Sequence, residues 1–582
     1  MRYFKLAVVL VTLVAAGFSQ TTSDQPVNMQ QVADRIVAQE NALVVSLKEY
    51  NPVVETYIQE LRPDGELGSV PEADQYFLSR ARLNQGIQNV SMVNNSKGGW
   101  RHKLTPKISN PFTLGYIEAG FLQGMVVDPA GFNRSNYDFN YVRREFLGDV
   151  RCVVFDIVPK QNTGKGRFLG RLWAEDQGYN VVRFTGVRVK ASHFQYYFHF
   201  DSWRVNEGPN MWIPAYIYTE ESDVRFSGFK HARLKAQTRL WGYDLKNPNR
   251  EDEYSAILVD SKSVDDHSEA SQDRSPLEAV RAWQQRSEDN VLEKLARAGL
   301  IAPPSNFEKV LDTVVNNLIV TNNLNLPYDV HCRVLLTMPL ESMNIGHTIV
   351  ISRGLIDTLP DEASLAMVLA HELGHIALSH QLDTRWAFND RVLFADEQTL
   401  QNLSFVHTPE EEAAADKKAI EILNSSPYKD KLAEGGLFLR ALSARGKELP
   451  HLISPHMGNR LALGEQVMRM QEIANAAPAL DMNKSDQIAA LPLGARLKLN
   501  PWNDRVEMMK AKPVAGLTAR DKMPFEVTPF LPYLQRKNAG GSNAATTGTE
   551  NTAQVSQPVT PVPVSTANES GREATPVAAP QN

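Results

Sequence analysis

The sequence predicts an α+β protein in which an N-terminal antiparallel β-sheet domain with helices precedes a mainly helical domain with a small sheet. Between about residues 74 and 260, aromatic and β-branched runs alternate with Gly, Asn, Asp and Pro turns, a pattern typical of antiparallel strands. From residue 280 onward, apolar side chains recur at helical spacing instead. The final segment, 538–582, has almost no large apolar residue, so we expect a disordered tail.

Length and composition limit the classes of protein that fit. The chain has 582 residues, 42% of them hydrophobic, which is enough apolar material for more than one core. Its formal net charge of −6 offers no basic surface for phosphates, so we do not expect nucleic acid as a partner. Only Cys152 and Cys332 occur, which excludes a cysteine-based metal cluster. The sequence leaves open whether they form a disulfide or stay as buried thiols.

The N-terminus has the features of a secretory signal over residues 1–19. Two basic residues precede an apolar run from Leu6 to Ala16, and small residues follow it. That run is shorter than the roughly 20 residues that span a bilayer. We expect an exported protein, periplasmic in a Gram-negative cell and secreted otherwise. A retained N-terminal anchor is the alternative.

Changes in composition predict the domain boundaries. The charged, apolar-poor stretch 248–276 separates the β-rich part from the helical part. Helical spacing in Val27–Tyr57, interrupted by Pro52, predicts one or two helices before the sheet. The predicted segments are the signal (1–19), a β-rich domain (27–275), a helical domain (280–470), an extended C-terminal segment (471–537) and the tail (538–582).

Within the helical domain, capping residues and apolar periods predict individual elements. Ser305 caps a helix with one apolar face, and short strands are expected at Val330–Leu336 and His347–Ser352. A helix then runs from about Asp361 to His380. Thr408-Pro-Glu-Glu411 reads as a capping box that opens a further helix.

The segment His371-Glu372-Leu-Gly-His375 carries the most specific chemistry. Two histidines four residues apart share one helix face, so both imidazoles can reach one zinc ion. Glu372 then stands beside the water of the metal and can move its proton. The alternative is a pair of hydrogen-bonded core histidines, which does not require a carboxylate between them.

A third ligand is expected from the helix that the capping box opens. Glu412 and Asp416 are also four residues apart, so one carboxylate can bind zinc while the other accepts the second ring N–H of a ligating histidine. Glu410 and Glu411 fit a solvated first turn that the helix dipole favours, which makes Glu412 the candidate ligand. The predicted donor set is two histidines and one glutamate.

His371-Glu-Leu-Gly-His375 followed by Glu412-Ala-Ala-Ala-Asp416 resembles the HtpX-like and CAAX-prenyl-protease-type zinc peptidases, which are gluzincins with HExxH on one helix and ExxAD on a later one. The resemblance covers about residues 300–465. It implies a zincin peptidase domain with one Zn²⁺ per chain, Glu372 as the catalytic base and Asp416 behind a histidine ligand.

The same resemblance implies a peptide cleft. In such enzymes an edge strand pairs with an extended substrate, and here the resemblance assigns that strand to Asn344, His347, Thr348, Ile349 and Val350. Family members also carry a His-Pro before a supporting Arg. This chain has Ser454-Pro455 before Arg460, so the resemblance implies that Arg460 is catalytic and stabilises an oxyanion, and it makes His456 a candidate extra metal ligand or gate. The stretch 381–407 between the two motifs is a candidate lid, with an ordinary packed connection as the alternative.

The β-rich region contains the run Gly170-Arg-Leu-Trp-Ala-Glu-Asp176, followed by Val182-Arg-Phe184 and Trp212-Ile-Pro214. On these runs it resembles the LolA/RseB-like fold, in which a curved antiparallel sheet wraps a helix. An aromatic-rich sheet is also what an ordinary core needs. Together the resemblances imply an exported zinc endopeptidase that acts on peptides or on unfolded envelope proteins, with a possible membrane-proximal partner. The alternative is a non-catalytic envelope chaperone, or a carrier of lipoproteins or lipids that uses the β domain. The oligomeric state is left open.

Overall fold

The computed structural model describes most of the chain between residues 28 and 537. The described ranges are 28–65, 68–83, 88–92, 121–129, 131–164, 166–189, 198–226, 230–244, 276–382, 387, 396–453, 457–458, 461–463, 466–481, 497–508, 525–529 and 532–537. The predicted signal, the predicted tail, and residues 383–386 and 388–395 of the candidate lid lie outside them. In the described ranges, no helix combines the length and the apolar character that a membrane span needs.

A ten-stranded antiparallel sheet forms the N-terminal part of the protein, which confirms the predicted fold class. The strand order is β3-β2-β1-β10-β9-β8-β7-β6-β5-β4, so β1 lies inside the sheet, β2 and β3 extend it to one edge, and β4 lies at the opposite edge. The strands from β4 to β10 then follow one another back until β10 pairs with β1. The strands are β1 (Val53–Asp64), β2 (Gly68–Arg82), β3 (Gln88–Ser91), β4 (Tyr137–Leu147), β5 (Val150–Pro159), β6 (Phe168–Glu175), β7 (Val181–Arg188), β8 (Phe200–Gly208), β9 (Met211–Phe226) and β10 (Lys230–Trp241).

The first helix is shorter than the sequence predicts. Helix α1 (Met29–Ser46) is capped by Asn28 and ends in a 3₁₀ turn, Leu47–Glu49. Residues from Val53 onward form β1, so the prediction of helix as far as Tyr57 is wrong. The first seven residues of β1 are all buried. Because these seven residues are buried on both faces of the sheet, apolar and polar side chains do not alternate along them, and the sequence lacks the pattern that marks a half-buried strand.

The sheet packs on both faces. On one face, α1 contributes Val32 and Ile36 to a core that includes Phe155 and Phe184 of the sheet. On the other face, residues of the sheet join the helical part of the chain in one continuous apolar core. A buried ion pair fixes α1 to the sheet, because the Arg204 guanidinium lies 2.7 Å from the Glu40 carboxylate and both side chains are almost fully buried.

In the described residues, the helical part contains nine α-helices and two small hairpins around a three-stranded sheet. The predicted caps Ser305 and Thr408 are confirmed, each as a complete capping box, and Asp361, where the sequence predicts a helix to begin, caps that helix. The elements are α2 (Pro276–Arg297), α3 (Asn306–Thr321), β11 (His331–Leu335), β12 (Ser342–Ile345), β13 (Thr348–Ser352), α4 (Arg353–Thr358), α5 (Glu362–Ala377), α6 (Asp396–Asn402), α7 (Pro409–Asn424), α8 (Leu432–Arg445), α9 (Pro450–Ile453), α10 (Gln471–Ala476) and, in two hairpins, β14 (Ala462–Leu463), β15 (Gln466–Val467), β16 (Leu497–Leu499) and β17 (Val506–Met508).

The small sheet corrects the predicted substrate strand. Its order is β11-β13-β12, so β13 is the central strand and is paired on both sides. The prediction that His347–Ser352 is an edge strand is therefore wrong, because Thr348, Ile349 and Val350 already pair with both neighbours. The edge strand next to the metal helix is β12, which the sequence pattern did not reveal and which contains Asn344.

The chain returns to the large sheet at its C-terminal end. Residues 525–529 and 532–537 cross the sheet without joining it as a strand, and we call these two stretches the C-terminal strap. All the described residues belong to one compact unit. Cys152 and Cys332 are both buried free thiols, so the disulfide alternative is not found.

Candidate metal centre

Helix α5 carries the first motif and is buried along most of its length. Asp361 accepts a hydrogen bond from the Ser364 amide at 2.7 Å, which satisfies one of the free N–H groups at the helix start. Every residue from Ala363 to His375 is buried. The imidazoles of this helix therefore lie in a site with little water, where electrostatic interactions are strong.

Helix α7 crosses α5 at Gly374. A Cβ placed on Gly374 would lie 2.7 Å from the carbonyl oxygen of Ala415, so only glycine lets the two backbones come this close. The contact brings Glu412 and Asp416, on either side of Ala415 along α7, against the two histidines. The glycine inside the motif is thus explained by packing between the two helices that carry the site.

Three side chains converge with the geometry of a metal site. The Nε2 atoms of His371 and His375 are 3.1 Å apart, and the Glu412 carboxylate oxygens lie 3.4 Å and 3.3 Å from them. Ligands of a tetrahedral zinc ion at 2.0–2.2 Å are separated by about 3.4 Å. In the described part of the chain, His371, His375 and Glu412 form the group of His, Cys, Asp and Glu residues whose ligand atoms lie close enough together, within 4.8 Å of one another, to hold one metal ion.

The carboxylates around His371 favour a cation at this point. Its Nδ1 donates to Asp416 Oδ1 at 2.7 Å, and its Nε2 lies 3.4 Å from Glu412 Oε2, so each ring nitrogen faces a carboxylate. Burial and Arg469 lower the pKa of His371, but hydrogen bonds to Asp416 and Glu412 outweigh them and its pKa is raised. The surroundings therefore favour positive charge at this point, which a divalent metal supplies.

Glu372 is held by two donors on one oxygen. Ser342 Oγ donates to Glu372 Oε1 at 2.7 Å, and Arg469 Nη1 donates to the same oxygen at 2.9 Å. Burial raises the pKa of Glu372, but the charges of Arg469, His371 and His375 lower it by more, so the net shift is downward. The group is an ionised carboxylate with one oxygen fixed, which suits a proton acceptor.

Arg469 is the functional residue that the sequence did not indicate. It is buried, contacts Glu372, and its Nε lies 3.1 Å from Glu412 Oε2. Burial also opposes ionisation of Glu412, but Arg469 and the two histidines lower its pKa well below the usual range. The sequence assigned the supporting role to Arg460, which lies outside the described residues, as does His456. A single Arg in the run Val-Met-Arg-Met carries no motif that would have singled it out.

The edge strand β12 faces the site through alternate residues. Ser342 reaches Glu372, and Asn344 Oδ1 lies 2.9 Å from His407 Nε2. The His407 ring stacks on His375 with centroids 4.0 Å apart. Burial and His375 lower the pKa of His407 to about 4, so this ring is neutral near pH 7. His407 thus connects strand β12 to helix α5 beside the candidate metal ligands.

Two other histidines take different places. His380 Nδ1 lies 2.9 Å from His375 Nδ1, directly behind a candidate ligand. His347 is in the turn between β12 and β13, where its ring stacks on Tyr328 with centroids 5.5 Å apart. Of the predicted cleft residues, Asn344 approaches the site through His407, whereas no described contact joins His347 to it.

Comparison with known proteins agrees with this geometry. Residues 342–434, which contain β12, α5 and α7, match the sequence model of peptidase family M48. The match ends before Arg469. No curated protein matches the chain. The family match and the cluster of His371, His375 and Glu412 together support a metallopeptidase of peptidase family M48.

Proposed function

We propose that the protein is a zinc-dependent endopeptidase of the HExxH and ExxAD type. The observation that carries this proposal is the convergence of His371, His375 and Glu412 with a fixed carboxylate, Glu372, next to them. These three side chains would hold one zinc ion. When bound, zinc supplies Lewis acidity toward water and a peptide carbonyl. Arg469 and the ion together balance the charges of Glu372, Glu412 and Asp416.

Glu372 has the geometry of a general base. Its Oε1 accepts from Ser342 and Arg469, so Oε2 is the oxygen left to receive a proton from the attacking water. The same oxygen returns that proton to the leaving amine nitrogen. Because Ser342 belongs to β12, the strand proposed to bind substrate also fixes the base.

We assign substrate binding to β12. Its inner side pairs with β13, and no strand of the described chain pairs with its outer side. An extended peptide can add there through backbone hydrogen bonds, a mode that tolerates many sequences. This favours peptides and unfolded proteins as substrates.

The cellular setting is also a proposal. The N-terminal 19 residues support export, and a sheet that packs on α1 supports a LolA/RseB-like module for envelope protein quality control near the membrane. The same packing of a large sheet on a helix favours, as the alternative, a non-catalytic chaperone or a carrier of lipoproteins or lipids. The alternative predicts that the chain binds clients without hydrolysing peptide bonds.

Zinc content and casein hydrolysis, measured on the native chain and on Glu372→Gln, separate the two functions. We expect one zinc per chain in both proteins and a loss of at least 10³-fold in kcat for the variant, because the ligands remain and the base is lost. Equal turnover by both proteins would refute Glu372 as the base. A native chain that binds zinc but cleaves nothing would favour the carrier.

A further inference from the structure

The C-terminal strap lies in a site that is built from side chains of the large sheet. The buried amide of Gln59 in β1 pairs with the strap backbone twice, donating to the Phe525 carbonyl at 2.5 Å and accepting from the Val527 amide at 2.7 Å. Farther along, Asn206 accepts from the Lys537 amide at 2.7 Å. Such contacts recognise an extended backbone without regard to its side chains.

The turn between β4 and β5 is shaped for the same segment. Gly148 has a φ of +65°, and a Cβ there would lie 2.5 Å from the Leu534 carbonyl oxygen. The next residue, Asp149, donates its amide to that oxygen at 2.9 Å and accepts from the Tyr533 hydroxyl at 2.6 Å. A side chain at position 148 would therefore exclude the strap.

Charge and apolar anchors complete the site. Lys235 of the sheet pairs with Glu526 at one end, and both side chains are buried. At the other end, Glu175 pairs with Arg536 at 2.7 Å and Glu207 pairs with Lys537. The buried apolar anchors are Phe525, Val527 and Leu534. The sheet is thus positive where the strap is acidic and negative where it is basic.

Two donors on this face are buried without a partner in the described part of the chain. The indole N–H groups of Trp203 and Trp212 have no hydrogen-bond partner among the described residues, although both residues are more than nine-tenths buried. Both belong to the same apolar core as the strap anchors. Buried donors of this kind are costly and are normally paired. The described residues of the strap therefore leave these two hydrogen-bond donors of the face unpaired.

We propose that this face of the sheet is a binding site for an extended polypeptide, and that the strap is its resident ligand. The matching client has an acidic residue between two apolar residues, followed after about six residues by an aromatic–apolar pair and then basic residues. Such a client takes the place of the strap and gives the β-rich part a recruiting role that does not depend on catalysis. Because side chains and not a β-ladder hold most of the strap, its release leaves the strands paired.

A peptide with the sequence of residues 523–537 tests the proposal. The receiving protein is the full chain with Glu372→Gln, so that the peptide stays intact, and with Glu526→Gln and Arg536→Gln, which weaken only the resident strap. We expect this chain to bind the fluorescent peptide at least 10-fold more tightly than the chain with Glu372→Gln alone, by anisotropy. Adding Gly148→Leu should reduce binding to the level of a scrambled peptide.

The proposal is overturned if the strap variant keeps its circular dichroism and thermal midpoint but binds the peptide no better than the scrambled one. Hydrogen exchange of the chain with an unaltered strap provides a second test, which does not depend on whether a strap variant folds. We expect the amides of Val527 and Lys537 to exchange at least 100-fold faster than those of β5. Equal rates would show that the strap opens only when the whole sheet unfolds, which also contradicts the proposal. Neither result depends on whether Glu372 acts as a base.

Discussion

The metal centre and the ten-stranded sheet differ in how the chain encodes them. At the metal centre, two short motifs supply the candidate ligands, and a helix crossing at Gly374 brings them together. In the sheet, the important contacts join residues far apart in sequence, such as Glu40 with Arg204 and Gln59 with Val527. The difference shows that a site can be readable from sequence while the scaffold that holds it is not.

The largest expected effect is the loss of a metal ligand. Glu412→Ala removes one of three donors, and it leaves Arg469 without one of its buried partners. We expect zinc affinity to fall by more than 100-fold, which is more than the loss of an outer hydrogen-bond partner typically causes. Competition with a chromophoric zinc chelator measures it.

Glu411→Ala is the matched control, because it is the neighbouring glutamate on the same helix. Glu411 pairs with the backbone amide of Thr408 at 3.0 Å as part of the capping box and is absent from the metal group. Its loss should change zinc affinity less than 3-fold. A similar loss of affinity in both variants would mean that acidic charge near the start of α7, and not direct ligation by Glu412, attracts the ion.

The next effect tests the sheet. Glu40→Ala leaves the Arg204 guanidinium buried without its carboxylate, which typically costs about 3–5 kcal/mol of stability. We expect that decrease in the free energy of unfolding in urea, and no such decrease for Glu49→Ala, which is exposed just after α1. If folded Glu40→Ala protein also binds zinc 10-fold more weakly, the sheet and the metal centre are coupled. The two motifs would then not be enough to encode the metal centre.

The elements that could be predicted were those with local signals. The caps at Ser305 and Thr408 follow from three or four adjacent residues, and each of the two metal motifs follows from five. The class of the β-rich region followed from turn residues and β-branched runs, but its strand order did not. Sequence periods carry no information about which strands become neighbours.

The missed features all depend on tertiary contacts. Strand β12 has only four residues, all buried, so it shows no alternation. The central place of β13 follows from its two neighbours and not from its own composition. Arg469 reaches Glu412 across 57 positions of the chain and has no motif around it. The signal, the export and the domain boundaries stay predictions.

A smaller effect should come from the group behind the first histidine. Asp416 accepts from His371 Nδ1 and also from the Met470 amide at 2.8 Å, so it links α7 to the residue after Arg469. Asp416→Ala should reduce zinc affinity by about 10–100-fold, as the loss of such partners typically does. Asp416→Asn, which keeps the size of the side chain but loses its charge, should fall between this variant and the native chain. Equal affinity in all three proteins would show that the tautomer of His371 is set without Asp416.

The smallest effect is expected at the start of α7. Thr408 Oγ1 accepts from the Glu411 amide at 3.3 Å, and Thr408→Ala removes this cap. Loss of such a cap typically costs about 1 kcal/mol. The crossing at Gly374 and the buried residues of α7 hold that helix in place. We therefore expect the free energy of unfolding, measured in urea, to decrease by this amount while zinc affinity changes less than 3-fold. A 10-fold loss of affinity would mean that the local cap, and not the packing of α5 on α7, places Glu412, and the metal centre would then be encoded even more locally than its two motifs indicate.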